Sequence, residues 1–129
     1  MIETLQNKTI KNENSTVKMV ADNIVFVYYH ENAVIEPEDF DASLAACYEL
    51  ANGNKNLKAI SEFGKYSTAT AAARKHAESL NIVCVAEAAI FHSLAQRLLL
   101  KFYIMFRKQP HPFKIFQSYE EAFNWVSQF

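Results

Sequence analysis

Between Phe91 and Phe129 the chain runs through elements that few folds accommodate: a long apolar segment, a Pro-His-Pro break, a short strand-like run and a sharply signalled final helix. A helix is expected over Ile90–Arg107, with Leu94, Leu98, Phe102, Met105 and Phe106 on one stripe. Leu99, Leu100, Tyr103 and Ile104 widen that stripe well beyond a simple amphipathic face. Pro110 and Pro112 stop the helix, because proline brings no backbone donor. Phe113–Phe116 then reads as a strand. Ser118-Tyr119-Glu120-Glu121 has the form of a capping box, in which Ser118 accepts from the Glu121 amide and Glu121 reaches back. The last helix would bury Tyr119, Ala122, Phe123 and Val126.

Upstream, Thr16–Ala21 and Ile24–Tyr29 read as strands joined at the tight-turn signal Asp22-Asn23, hence as an antiparallel hairpin. The run Ile24-Val25-Phe26-Val27-Tyr28-Tyr29 is apolar, aromatic or β-branched throughout, which predicts burial on both faces of a sheet. Pro37 opens a helix with Glu38, Asp39 and Asp41 near its positive end, and Asn52-Gly53 closes it. Leu57–Ser61 is expected as a short strand. Glu62–Tyr66 is expected as a loop, and Ser67 as the start of an alanine-rich helix to about Leu80. Ile82–Ala86 is the best candidate for a central strand. Residues 1–15 read as a flexible N-terminal leader and 16–129 as a single domain. Strands that alternate with helices imply parallel pairs joined by right-handed crossovers. The expected fold class is therefore α/β: a mixed, mostly parallel sheet of about five strands, an antiparallel edge hairpin and packed helices.

Composition excludes several classes. With 13 Lys and Arg against 14 Asp and Glu, there is no bulk electrostatic case for a nucleic-acid partner. The apolar run Leu98–Phe106 contains Lys101 and is flanked by Arg97 and Arg107, so no transmembrane segment is expected. Met1–Thr16 is polar, so no signal peptide is expected and the reading is cytoplasmic. There are only two glycines, which leaves no glycine-rich loop to cradle phosphates. Cys47 and Cys84 sit in apolar patterns and read as reduced, buried thiols.

His30, His76, His92 and His111 share no metal-ligand spacing, and no cysteine lies near them in a zinc pattern. No metal, no cofactor and no catalytic residues are expected. Charge is polarised along the chain. Residues 22–49 carry seven acids and no Lys or Arg, and residues 88–119 carry five bases and no acid. That polarity fits either an acidic partner or two solvated faces of one globule.

The element order resembles the STAS fold of anti-sigma-factor antagonists, the SpoIIAA-like fold, and in particular small uncharacterised bacterial proteins of that group. The carrying residues are Ile82–Ala86 leading into Ser93–Phe106, then Lys108–Phe116, then Ser118–Ala122 with Trp125-Val126. In true antagonists, a phosphorylated Ser or Thr at the start of the helix after the third strand switches partner binding. The resemblance therefore points to Ser67, Thr68 and Thr70 as a phospho-switch or partner loop. Tyr66-Ser67-Thr68-Ala69-Thr70 stands here in place of the family's Asp-Ser-Ser-Gly. The alternative is that Ser67 simply caps the helix.

The leading functional expectation is a non-enzymatic regulatory or protein-interaction domain with a protein partner or a homodimer contact. The alternative is a small-molecule or lipid-binding module. In either case Phe91, Leu98, Phe102, Tyr103 and Phe106 would form the interface or line the pocket.

Overall fold

The computed structural model describes residues 8–129. Its strands are β1 (Thr9–Lys11), β2 (Ser15–Ala21), β3 (Ile24–Tyr29), β4 (Val34–Ile35), β5 (Lys58–Phe63), β6 (Thr68–Ala69), β7 (Ala86–Ile90) and β8 (Phe113–Phe116). Its helices are α1 (Pro37–Leu50), α2 (Ala71–Ser79), α3 (Leu94–Phe106) and α4 (Tyr119–Val126). Six strands form the main sheet in the order β1-β2-β3-β5-β7-β8. β1, β2 and β3 are antiparallel neighbours, and the β3-β5-β7-β8 ladder is parallel. β4 and β6 make a separate parallel pair.

The hairpin turns at Asn23, whose φ of 61° is a conformation asparagine tolerates better than most residues. The register slips between Met19 and Ala21, leaving Val20 as a bulge. As expected, β3 lies inside the sheet. Val25, Val27 and Tyr29 enter a core shared with Ala46, Cys47 and Leu50 of α1. Ile24 and Phe26 point the other way, into a core with Ala122 and Val126 of α4. Pro37 opens α1 where the Asp39 carboxylate accepts from the Glu36 amide at 2.7 Å, and Asn52 and Gly53 turn left-handed past its end.

Four sequence expectations need correction. Of the expected leader, residues 1–15, Thr9–Lys11 pairs with β2 and Ser15 begins β2, while residues 1–7 lie outside the described residues. The central strand is Ala86–Ile90, not Ile82–Ala86. The β-branched run ahead of it is held outside the ladder, because the Val83 amide donates to the Tyr48 hydroxyl at 2.8 Å and that hydroxyl donates to the Val83 carbonyl at 3.2 Å. The alanine helix starts at Ala71, since Thr68-Ala69 first pairs with Val34-Ile35. The long apolar helix begins at Leu94, capped by Ser93, because Ile90 still belongs to β7.

The parallel register decides what each face carries. Val27, Ser61 and Ala89 are aligned across β3, β5 and β7, and so are Val25, Ala59, Glu87 and Phe113. The opposite face aligns Phe26, Ile60 and Ala88, with Ile90 beside Phe116. Ile60 and Ile90 are almost fully buried there beneath α4, each contributing about 2 kcal/mol of apolar transfer. On the first face β5 and β7 present Ala59, Ser61 and Ala89 between the larger Phe63 and Glu87, so the filling is lower there.

Gly64, just after β5, sits so close to β3 that a Cβ would lie 2.6 Å from the Tyr29 carbonyl oxygen and 2.7 Å from the Glu31 nitrogen. Backbone atoms cannot swing aside as a side chain can. Gly64→Ala is therefore expected to lower the unfolding free energy by about 1–3 kcal/mol. Urea titration checks this, and an unchanged midpoint would contradict the close approach.

Candidate functional site

A cleft of about 390 Å³ lies on the face of small side chains, between the sheet and α2 and α3. Ala59, Ser61 and Ala89 form its floor, and Leu99, Phe102, Tyr103 and Phe106 its roof. The floor is low because alanine and serine leave volume that α3 does not fill. Only Gln96 and Leu100 of α3 are buried. The helix is held mainly at its ends. At the N-terminal end the Gln96 side-chain amide donates to the carbonyls of Gly64 (3.1 Å) and Ser67 (3.3 Å), while its oxygen accepts from the His92 amide at 2.7 Å. At the C-terminal end Tyr103 stands edge-on to Phe113, with 5.3 Å between centroids, and Arg107 Nη2 donates to the His111 carbonyl at 2.6 Å.

One wall of the cleft is polar. Glu87, in the middle of β7, faces into it, and His111 Nε2 lies 2.5 Å from a Glu87 carboxylate oxygen. The two side chains are only 12% and 7% exposed. The Glu87 amide donates to the Pro112 carbonyl at 3.0 Å, which fastens the Pro-His-Pro segment to β7 and brings His111 to its partner. Cys84 belongs to the same wall, and its thiol, the Glu87 carboxylate and His111 Nε2 all lie within 4.8 Å of one another. Burial, then the Glu87 charge, push the Cys84 thiol and the Tyr103 phenol well above their ordinary pKa values. Cys47, also beside the cleft, is pushed up to about 12 for the same two reasons. Arg107 Nη1 and Gln109 Oε1, both in the segment between α3 and β8, are buried without a protein partner. Gln109 lines a smaller pocket beside the cleft, together with Cys84 and His111.

The sequence-predicted residues divide. Tyr103 lines the cleft, Phe102 and Phe106 stand at its rim at 58% and 55% exposure, Leu98 is 49% exposed on the outer side of α3, and Phe91 precedes the helix altogether. Leu94 and Met105 share that outer side at 67% and 71% exposure. Ser67 is buried and is not the helix cap. Thr70 caps α2 by accepting from the Ala73 amide at 3.1 Å, and its hydroxyl donates to Glu36 at 3.0 Å. Thr68 alone of the three is exposed. The histidines do not converge on each other. His76 pairs with Asp41 and His92 with Glu62, each at 2.7 Å, and His30 meets Thr16 at 2.9 Å. Sequence reasoning missed the Glu87–His111–Cys84 grouping because His111, distant in sequence, reaches the other two only when the segment before β8 is fastened to β7. The one available signal was an acid interrupting Ala86–Ile90, an otherwise apolar strand.

The family model for a domain of unknown function, DUF7793, matches residues 18–129. The chain belongs to that family. The DUF7793 domain is similar in fold to a crystal structure of an uncharacterised DUF3478-family protein with a SpoIIAA-like fold from Shewanella loihica PV-4. The TM-score is 0.57 at 13% identity, covering 92% of this chain and 90% of that one. At that identity the likeness speaks of fold, and it bears out the STAS-like, SpoIIAA-like expectation: a mixed, mostly parallel sheet with an antiparallel hairpin at one edge. No curated protein matches the chain in sequence. Among the described residues no helix is long and apolar enough to cross a membrane.

The raised thiols give a check with a definite sign. The folded state keeps both protons after the unfolded chain, with cysteines near pH 8.5, has begun to lose them. Stability should therefore be intact below about pH 8.5 and fall as pH rises toward 12. The fall should shrink in the C47A/C84A double variant. Iodoacetamide at pH 8 should modify both thiols readily in urea and Cys47 very slowly in the native protein, and rapid native labelling of Cys47 would contradict its burial.

Proposed function

We propose that this DUF7793 domain is a non-enzymatic, cytoplasmic regulatory module that binds a small apolar molecule beneath α3 and reports its occupancy through the outer face of that helix. The observation that carries this reading is the cleft itself. A volume of about 390 Å³, mostly apolar and closed at one end by a few convergent polar groups, has the size and lining of a small-molecule site. The ligand class that fits has an aliphatic or aromatic body for Ala59, Ala89 and Phe102, and one polar end for Glu87. A lipid-like alcohol or amide meets that description. Placing a ligand there would complete the contacts that α3 now lacks along its inner side.

The regulatory half rests on the same helix. Leu94, Leu98 and Met105 form an apolar outer strip, with Arg97 and Lys101 on the same helix. A strip of this kind is suited to a protein partner, and a second copy of the chain is the simplest one. Because α3 roofs the cleft and carries the strip, a ligand that settles its inner face fixes the geometry of its outer face. Thr68, exposed in the β6 segment, is the hydroxyl best placed for modification at the adjoining loop.

Ser61→Leu, which adds a branched side chain to the floor, is expected to weaken binding of a fluorescent apolar probe by at least about tenfold, with stability kept or raised. Probe binding equal to wild type would place the ligand elsewhere. Leu98→Glu with Met105→Glu should leave probe affinity unchanged while reducing association of the chain with itself or with its partner. Light scattering across a concentration series reads the first case. A monomer at every concentration, with or without probe, would remove the homodimer version.

A further inference from the structure

We infer that Cys84, Glu87 and His111 form a binding site for a thiophilic divalent cation of the zinc class. The grouping joins a thiol, a carboxylate and an imidazole, which is a donor set zinc accepts and magnesium or calcium does not favour. The three donor atoms lie within 4.8 Å of one another. Ligands held about 2.0–2.3 Å from one zinc ion are at most about 4.6 Å apart, and about 3.5 Å apart in a tetrahedron. Closing the set thus takes small rotations of about 1 Å: Cys84 moves in, and the Glu87–His111 contact, now 2.5 Å, opens. Cys84 and His111 lie in irregular segments flanking β7 and β8, and Glu87 lies in the sheet.

The surroundings supply the rest of a metal site. Cys84 and Glu87 line the main cleft, and Cys84 and His111 line a smaller neighbouring pocket of about 350 Å³. The trio therefore stands in the partition between two cavities, and an ion held there keeps open coordination positions. Three protein donors with an open fourth position is an arrangement zinc uses when it also binds an exogenous molecule. Charge balances as well. On binding, the Cys84 thiol proton leaves to solvent, and thiolate plus carboxylate offset the two charges of the cation. The site stands independently of the apolar ligand, although an ion there would give that ligand's polar end a direct partner.

The test uses the full chain, stripped with chelator, refolding-checked by far-ultraviolet circular dichroism, and titrated with Zn²⁺ against a chromogenic chelator and with Co²⁺ by absorption. One ion per chain is expected, together with a thiolate-to-cobalt charge-transfer band and release of at least one proton as affinity rises with pH. Cys84→Ser should abolish the band. His111→Gln and Glu87→Gln should weaken Zn²⁺ by roughly 100-fold, at or beyond the upper end of what outer-shell changes cause. Cys47→Ser should leave both readouts unchanged. Absence of stoichiometric binding in the folded wild-type chain would overturn the proposal, and so would a cobalt band that survives Cys84→Ser. No apolar probe enters this titration, so its failure and the failure of probe binding in the cleft are separate results.

Discussion

Everything distinctive about this molecule follows from how two parallel strands distribute side-chain volume between their faces. β5 and β7 send Ile60 and Ile90 to one side, where α4 closes over them, and Ala59, Ser61 and Ala89 to the other. Period-two alternation leaves no freedom here: a shift of one residue would exchange the faces and bury Glu87 under α4. With the register set, one side of the sheet becomes a filled core and the other a floor too low to meet the helices above it. An open cleft of about 390 Å³ is left on that face.

The character of α3 is the counterpart of that floor. A helix lying on a filled sheet needs one apolar stripe, yet α3 carries apolar residues nearly all round while burying only Gln96 and Leu100. Phe102 and Phe106, 58% and 55% exposed, stand at the open rim of the cleft, and Leu94, Leu98 and Met105 face solvent. Apolar side chains left against empty space on both sides forfeit transfer and dispersion energy together. The helix is kept in place by polar fastening at its first turn, through Gln96, and by the Tyr103–Phe113 and Arg107–His111 contacts at its last. Such end-held elements belong to the less stable part of a structure, from which ligand-responsive segments are drawn.

Much of the architecture was legible from local chemistry. Asp22-Asn23, Pro37, Asn52-Gly53, Pro110 and Ser118 each mark a turn, start or stop with its own mechanism, and each falls where the chain changes element. What could not be read was decided by tertiary contacts. Ile82–Val85 has the better strand composition, but Tyr48 occupies the Val83 backbone and the ladder begins at the plainer Ala86. Ser67 has the better capping position by spacing, but pairing of β6 with β4 keeps the chain extended until Thr70. The roof of the cleft was half legible, through Phe102, Tyr103 and Phe106. Its polar wall was not, because His111, distant in sequence, reaches Cys84 and Glu87 only when the segment before β8 is fastened to β7.

That wall bears most directly on what the cleft is for. A carboxylate held at 12% exposure in an apolar cleft costs several kcal/mol unless a partner restores what water gave it. A sequence selected for packing alone would carry an aliphatic residue at the Glu87 position, since Ala86, Ala88, Ala89 and Ile90 around it are all buried. Instead the chain supplies His111 from a separate segment and fixes it by the bond between the Glu87 amide and the Pro112 carbonyl. The same Pro-His-Pro break that ends α3 therefore also delivers the carboxylate's partner. Two requirements, stopping the roof helix at the rim of the cleft and placing an imidazole against the buried carboxylate, are met by one short segment. A groove that merely awaited better packing would need neither of them.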